Sequence, residues 1–226
     1  MKRKKRIKAL IFLLIGAACM AACAALALHN MAEDIAAGKA AMETVSRIEA
    51  VLEEREAEVA AVLEERETEV DIALEETSDE DETSTIYIDG YSYIGVLEIP
   101  SLERKLPVLA SWSYSGLTIA PCRYSGSAIK KNLIIAGHNY SSHFGPIRGW
   151  KGGETVYFTT VSGCRFEYTV TEVVTIPETD VEALYDGDWD LTLFTCTADG
   201  ESRVAVRCRL VEKHLINFIQ TIINRF

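Results

Sequence analysis

A cysteine, a histidine and an arginine in this sequence each stand where an apolar, β-prone run ends or begins. Cys196 closes LTLFTC, His138 follows NLIIAG, and Arg203 opens RVAVRCRL seven residues after the cysteine. The thiolate is the nucleophile in acyl transfer, and a free thiol titrates near about 8.5, so a partner must generate or trap the anion. An imidazole can take the thiol's proton and return it to a departing amine. A guanidinium stays charged at every relevant pH and offers a fixed fork of donors suited to an oxyanion. Together these are the parts of a cysteine acyl-transfer site.

Alternation along LTLFTC puts Thr192, Phe194 and Cys196 on one face and Leu191, Leu193 and Thr195 on the other. Along RVAVRC, Arg203, Ala205 and Arg207 share a face, so Arg207 is an alternative to Arg203. If LTLFTC is a barrel strand, its end aims the thiol at one opening. Gly137 before the histidine permits a close approach or an unusual backbone angle. His143, in SSHFGPIRGW, competes with His138, whereas His29 borders an apolar run and His214 lies beside the C-terminal tail. Cys122, Cys164 and Cys208 read as strand residues, with a Cys164–Cys208 or Cys122–Cys164 bridge left open.

These residues need a scaffold, and the segments from Ile86 onward supply one. IYIDG, YSYIGVLEIPSL, KLPVLAS, NLIIAGHNY, GETVYFTTV, RFEYTVTEVVTI, DLTLFTCT and RVAVRCRLV are short, β-branched and aromatic, with turn residues between them. They predict a mainly β domain, a barrel or a sandwich, over 86–226. The tail KHLINFIQTIINRF has helical spacing and predicts a short amphipathic C-terminal helix. Residues 85–226 carry 13 basic and 15 acidic side chains, which excludes the basic stripe of a nucleic-acid groove.

The N-terminal third is organised by charge. Residues 1–8 hold six basic residues, and 9–28 hold no charge at all. Such a run spans roughly 30 Å as a helix, the thickness of a bilayer's hydrocarbon core. The flanking charges predict a cytoplasmic tail at 1–8, a transmembrane anchor at 9–28 and everything else outside. A cleaved signal peptide, or a lipoprotein-type cut before Cys23, are the alternatives. Residues 29–84 carry 19 acidic and 4 basic side chains. Within them VLEEREAEVAA (51–61) is repeated as VLEERETEVDI (62–72), a period of 11 that fits a straight or slightly right-handed helix. Residues 29–85 thus predict an acidic helical stalk and linker reaching roughly 70 Å from the membrane, either as a solvated spacer or as a coiled-coil dimer seam. Its single glycine between 31 and 77 is Gly38.

The order strand–GH, strand–TLxTC, strand–Arg resembles the sortase family of Gram-positive cell-surface transpeptidases over roughly residues 86–212. The resemblance implies an eight-stranded β-barrel in which Cys196, His138 and Arg203 form the active site. It also implies that Thr195 helps bind substrate through its side chain or backbone. The expected reaction cuts an LPxTG-like sorting signal on a secreted protein, holds that protein as a thioester, and passes it to an amine of peptidoglycan precursor or of another surface protein. No cofactor is implied. A calcium site, present in some relatives, is not located by Glu103, Glu154 or Glu172. The GHNYSSHFG run is similar to class B enzymes, but their long helical insertion is absent, as is the lid motif of class C, and the class stays open. Two other readings use the same features: a cell-wall cysteine hydrolase with the same Cys–His pair, and a non-catalytic membrane-anchored coiled-coil scaffold.

Overall fold

The computed structural model describes residues 2–65 and 84–211. The expected C-terminal helix and most of the second copy of the repeat lie outside the described residues. Nine strands form: β1 (Ile86–Ile88), β2 (Tyr91–Ile99), β3 (Arg104–Leu109), β4 (Cys122–Ser125), β5 (Leu133–Ala136), β6 (Thr155–Thr160), β7 (Arg165–Pro177), β8 (Leu191–Cys196) and β9 (Ser202–Leu210). Eight of them join in the order β2-β3-β4-β5-β8-β9-β7-β6, and β6 pairs back onto β2 at Gly95–Glu98, closing the expected barrel. β1 is a hairpin arm that pairs with β2 just before that closure. Most neighbours are antiparallel, but β3 and β4 meet in parallel at Leu109 and Cys122, and β5 and β8 run parallel, Leu133 opposite Leu191 through Ala136 opposite Phe194. Two parallel neighbours end at the same edge, so the chain leaving β5 and the last residue of β8 emerge side by side.

Period-two alternation sorts each strand into an inner and an outer set. Leu97, Leu106, Leu133, Phe158, Leu193 and Val206 meet in the barrel interior. The intervening residues of β5, β7, β8 and β9 form a separate outer cluster of Ile134, Ala136, Ile176, Phe194 and Ala205, covered by Leu184. Leu184 belongs to a 3-10 turn, Glu182–Leu184, in the connection between β7 and β8. Removing such side chains from water contributes about 1.5–3 kcal/mol each for the larger ones.

Helix α1 (Lys2–Glu65) runs unbroken for 64 residues. Its apolar stretch is exposed, and the helix is long and apolar enough to cross a membrane. Beyond that stretch the helix departs from the expected free-standing stalk. Ala37, Ala41, Val45 and Ile48 are buried, a spacing that keeps them on one face. Val45 and Ile48 pack with Ile86, Ile88, Tyr93 and Val96, and Val51 and Leu52 flank them. Ion pairs of Arg47 with Asp89 and Lys105 with Glu49 rim the contact, and Arg55 donates to the Val161 carbonyl at 3.1 Å. The reading of 29–85 as a solvated spacer or dimer seam is therefore corrected for 34–55, whose apolar face lies on its own barrel. Contact starts at Asp34, six residues past Leu28. At 1.5 Å per residue that is roughly 9 Å beyond the apolar run, far short of the roughly 70 Å of a free stalk.

Candidate active site

Cys196 and Arg203 are directly opposed residues of the antiparallel β8–β9 pair. On the other side of β8, the Gly137 amide donates to the Phe194 carbonyl at 2.9 Å, and Asn139 Nδ2 reaches the Thr197 carbonyl at 3.4 Å. The parallel alignment thus reaches Gly137, and extending the register by two residues puts His138 at the same sheet edge as Cys196. At an interstrand spacing of about 4.8 Å, His138, Cys196 and Arg203 form one row across three neighbouring chain segments. All three are partly exposed. The row lies on the outer face, continuing the cluster of Ala136, Phe194 and Ala205, so the thiol is not aimed into an opening of the barrel as alternation alone suggested.

Gly137 matters here through close approach. A Cβ at that position would come within 2.2 Å of the Phe144 ring, so only glycine lets the chain turn under Phe144. The loop then folds back on itself: the Phe144 amide donates to the His138 carbonyl at 3.1 Å, and the Gly145 amide to the Tyr140 carbonyl at 2.9 Å. The His138 ring stacks on Tyr140 at 3.8 Å between centroids, and its Nδ1 is enclosed without a partner. Burial pulls the His138 pKa below the ordinary imidazole value, against opposing help from Asn139, Asp34 and Glu33. His143, the competing histidine, is fully buried with both ring nitrogens unpartnered. Burial first, and then the neighbouring His138, depress its pKa to about 4. It is out of reach of any external substrate.

Arg203 Nη1 donates to the carbonyls of Gly200 and Ser202, each at 3.2 Å, and Nη2 pairs with Glu178 at 3.2 Å. Arg207 lies opposite Thr192, four residues down β9 and roughly 13 Å from the row. It is engaged by Glu172 at 3.0 Å and by the Ala183 carbonyl at 2.9 Å. Thr195 is 1% exposed, with a partnerless hydroxyl on the face opposite to Cys196 and Phe194, so its side chain does not meet the row. A family profile described as Sortase domain matches residues 97–211, just over half of the chain. The chain belongs to the sortase family.

It is 32% identical over 120 residues to sortase A of Listeria monocytogenes, a match covering 50% of this chain and 54% of that protein. It is 31% identical over 141 residues to sortase A of Bacillus anthracis, covering 59% of this chain and 67% of that one. The chain thus spans about half the length of the first of these relatives and two thirds of the second. Among solved structures, sortase A from Corynebacterium diphtheriae superposes with a TM-score of 0.49 at 23% identity, covering 54% of this chain and 61% of that one.

Within this sortase two of the other barrel cysteines, Cys122 and Cys208, are poor nucleophiles. Cys122 and Cys208 are free thiols, and burial pushes Cys122 up to about 11 and Cys208 further up. The half-buried Cys164 sits at the β6–β7 turn, away from the row. Sequence reasoning missed an aromatic wall beside the row. Tyr124 on β4 meets Phe194 edge-on at 5.3 Å and Trp112 at 6.0 Å, with Tyr185 at 6.4 Å on its other side. These residues come from separate segments, so no local motif announces them. It also missed Glu178 and Asp34, which read as ordinary solvated acids. Among the described residues no cluster of His, Cys, Asp or Glu could hold a metal ion. Glu154 is taken up by the Lys151 and Gly152 amides, and Glu172 by Arg207.

Proposed function

We propose that this sortase is a cysteine transpeptidase acting on an LPxTG-like sorting signal, with Cys196 as nucleophile, His138 as acid and base, and Arg203 as oxyanion donor. The observation that supports it is the direct pairing of Cys196 with Arg203 across β8 and β9, with the chain leaving β5 toward His138 along the other side of β8. Cys196 Sγ attacks the carbonyl carbon of the Thr–Gly bond after giving its proton to His138. The C–N bond breaks, His138 protonates the departing glycine amine, and the protein is held as a thioester. An incoming amine then attacks the thioester, His138 takes its proton, and the thiolate leaves. A histidine whose pKa is held below the usual range is neutral at pH 7, ready to accept the thiol proton. Once protonated it is a stronger acid toward the leaving amine.

The exposed Glu178–Arg203 pair is worth only about 0–1 kcal/mol, and a turn of the guanidinium to an oxyanion exchanges its bonds to the Gly200 and Ser202 carbonyls for bonds to the substrate. Tyr124, Trp112 and Tyr185 offer the apolar side chains of the signal a wall next to the thiol. Thr195 can serve the substrate only through its backbone. The anchor at 9–28 would hold the enzyme to the outer membrane face, with secreted proteins as donors and a peptidoglycan or protein amine as acceptor. Mass spectrometry of the full chain incubated with Leu-Pro-Glu-Thr-Gly peptides and triglycine tests the reading. An acyl adduct on Cys196 and a ligated product are expected, and both vanish in Cys196→Ala. Adduct formation by Cys196→Ala would overturn the assignment, and release to water with triglycine in excess would favour the hydrolase.

A further inference from the structure

The loop that carries His138 is held from outside the barrel by the helix that carries the apolar run. Asp34 on α1 accepts three hydrogen bonds from consecutive residues of that loop. Oδ1 receives the Ser142 amide at 2.8 Å, and Oδ2 receives the Ser141 amide at 3.1 Å together with the Ser141 hydroxyl. One turn along the helix, Gly38 lies against the same loop, where a Cβ would stand 3.0 Å from Ser142 Cβ. At Gly38 the helix and the loop approach so closely that even a methyl group would press on Ser142. Ala41, Val45 and Ile48 then fix the helix to the barrel below. The loop's own ties are the Phe144 amide to the His138 carbonyl and the His143 and Gly145 amides to the Tyr140 carbonyl, which close its neck and leave Ser141 and Ser142 at its tip to Asp34.

We propose that Asp34 is a positioning residue for His138, so that the anchor helix is a working part of the active site and not only a tether. By fixing Ser141 and Ser142 it fixes Tyr140, the ring against which His138 is stacked. This rests on the assignment of His138 given above. The charged and titratable groups around the two loop histidines are Asp34 and Glu33 from α1, Tyr140 within the loop, Cys196 and Arg203 at the ends of β8 and β9, and Arg104 at the start of β3, which faces His143. Among them Asp34 alone is bonded to the loop through both carboxylate oxygens. Its pKa is depressed to about 2, where burial alone would raise it and the bonds from Ser141 and Ser142 prevail. The clamp therefore stays ionised across the working pH range.

The test is the pH profile of Cys196 alkylation by iodoacetamide, read by mass spectrometry on the full chain in detergent micelles. It needs no knowledge of the substrate. His138→Ala defines the profile of an unpaired thiol. Asp34→Ala is expected to move at least halfway from wild type toward that profile, and Asp34→Asn, which keeps one acceptor oxygen, to fall between. Gly38→Val, which pushes the helix off the loop without removing a charge, is expected to reproduce Asp34→Ala and covers the case in which that variant fails to fold. With the Leu-Pro-Glu-Thr-Gly peptide and triglycine, Asp34→Ala should lower kcat about tenfold with KM within about twofold. If Asp34→Ala and Gly38→Val keep the wild-type profile while His138→Ala changes it, the positioning role is wrong and the catalytic assignment stands. A His138→Ala profile identical to wild type overturns both.

Discussion

His143 offers a prediction whose size comes from its surroundings. It is buried in full, and neither ring nitrogen has a hydrogen-bond partner, so the folded protein holds it neutral down to about pH 4. In the unfolded chain a histidine titrates near about 6.5. Between those values the unfolded state binds a proton that the folded state refuses, so stability falls as the pH drops from about 6.5 to about 4 and levels off below. At about 1.4 kcal/mol per pH unit the full loss is about 3 kcal/mol, of which about 2.5 kcal/mol is complete by pH 4.5. His143→Leu keeps the apolar packing and removes the titrating ring, and deleting two unpartnered buried nitrogens should cost little at neutral pH. Guanidinium unfolding in micelles at pH 7.5 and 4.5, followed by tryptophan fluorescence, measures the effect. All three tryptophans, Trp112, Trp150 and Trp189, lie in the barrel region. Wild type should lose about 2.5 kcal/mol more than His143→Leu across this interval. His138 shifts in the same direction in both proteins and cancels, and Asp34, depressed to about 2, does not titrate in the window. An acid loss equal in the two proteins would show that His143 is hydrated or paired in solution and would refute the reasoning.

Three further outcomes rest on the same geometry. Ile48→Ala, which opens a cavity between α1 and the barrel, should lower the unfolding free energy by about 2–4 kcal/mol in the same assay. Arg203→Ala should reduce kcat by about 100- to 1,000-fold, as expected for loss of an oxyanion donor, whereas Arg207→Ala, far along β9, should leave kcat within about threefold. Tyr124→Ala should raise KM for the sorting peptide with kcat nearly unchanged, since it removes a wall for the substrate and touches no reacting atom.

How much of this was legible in the sequence differs by element. The strands were readable because short β-branched, apolar and aromatic runs bounded by turn residues mark them, as they do for β8 and β9. Cys196, Phe194, Arg203 and Ala205 could be grouped by face because side chains alternate along a strand, and the register bears that grouping out. The resemblance carried by GH, TLFTC and RVAV then led to the right family. Thr195 shows the limit. It stands next to the thiol in sequence, yet the period that exposes Cys196 turns the Thr195 side chain inward. The acidic helix shows another limit. Alanine and valine at helical spacing between glutamates satisfy a spacer, a dimer seam and a docked helix equally well, because periodicity defines a face and not what covers it.

The residues alone establish which groups could do acyl-transfer chemistry, which segments run as strands, and that a long apolar helix precedes them. These properties depend on side-chain type and on contacts between near neighbours along the chain. Folding is what lays β5 and β8 parallel, which brings the segment leading to His138 to the sheet edge where β8 ends, across 58 positions of chain. Folding also returns α1 to clamp the histidine loop through Asp34, more than a hundred residues away in sequence. Such contacts arise from closing a barrel and covering its outer faces. Every strand contributes to that balance of burial at once, and no local pattern encodes it.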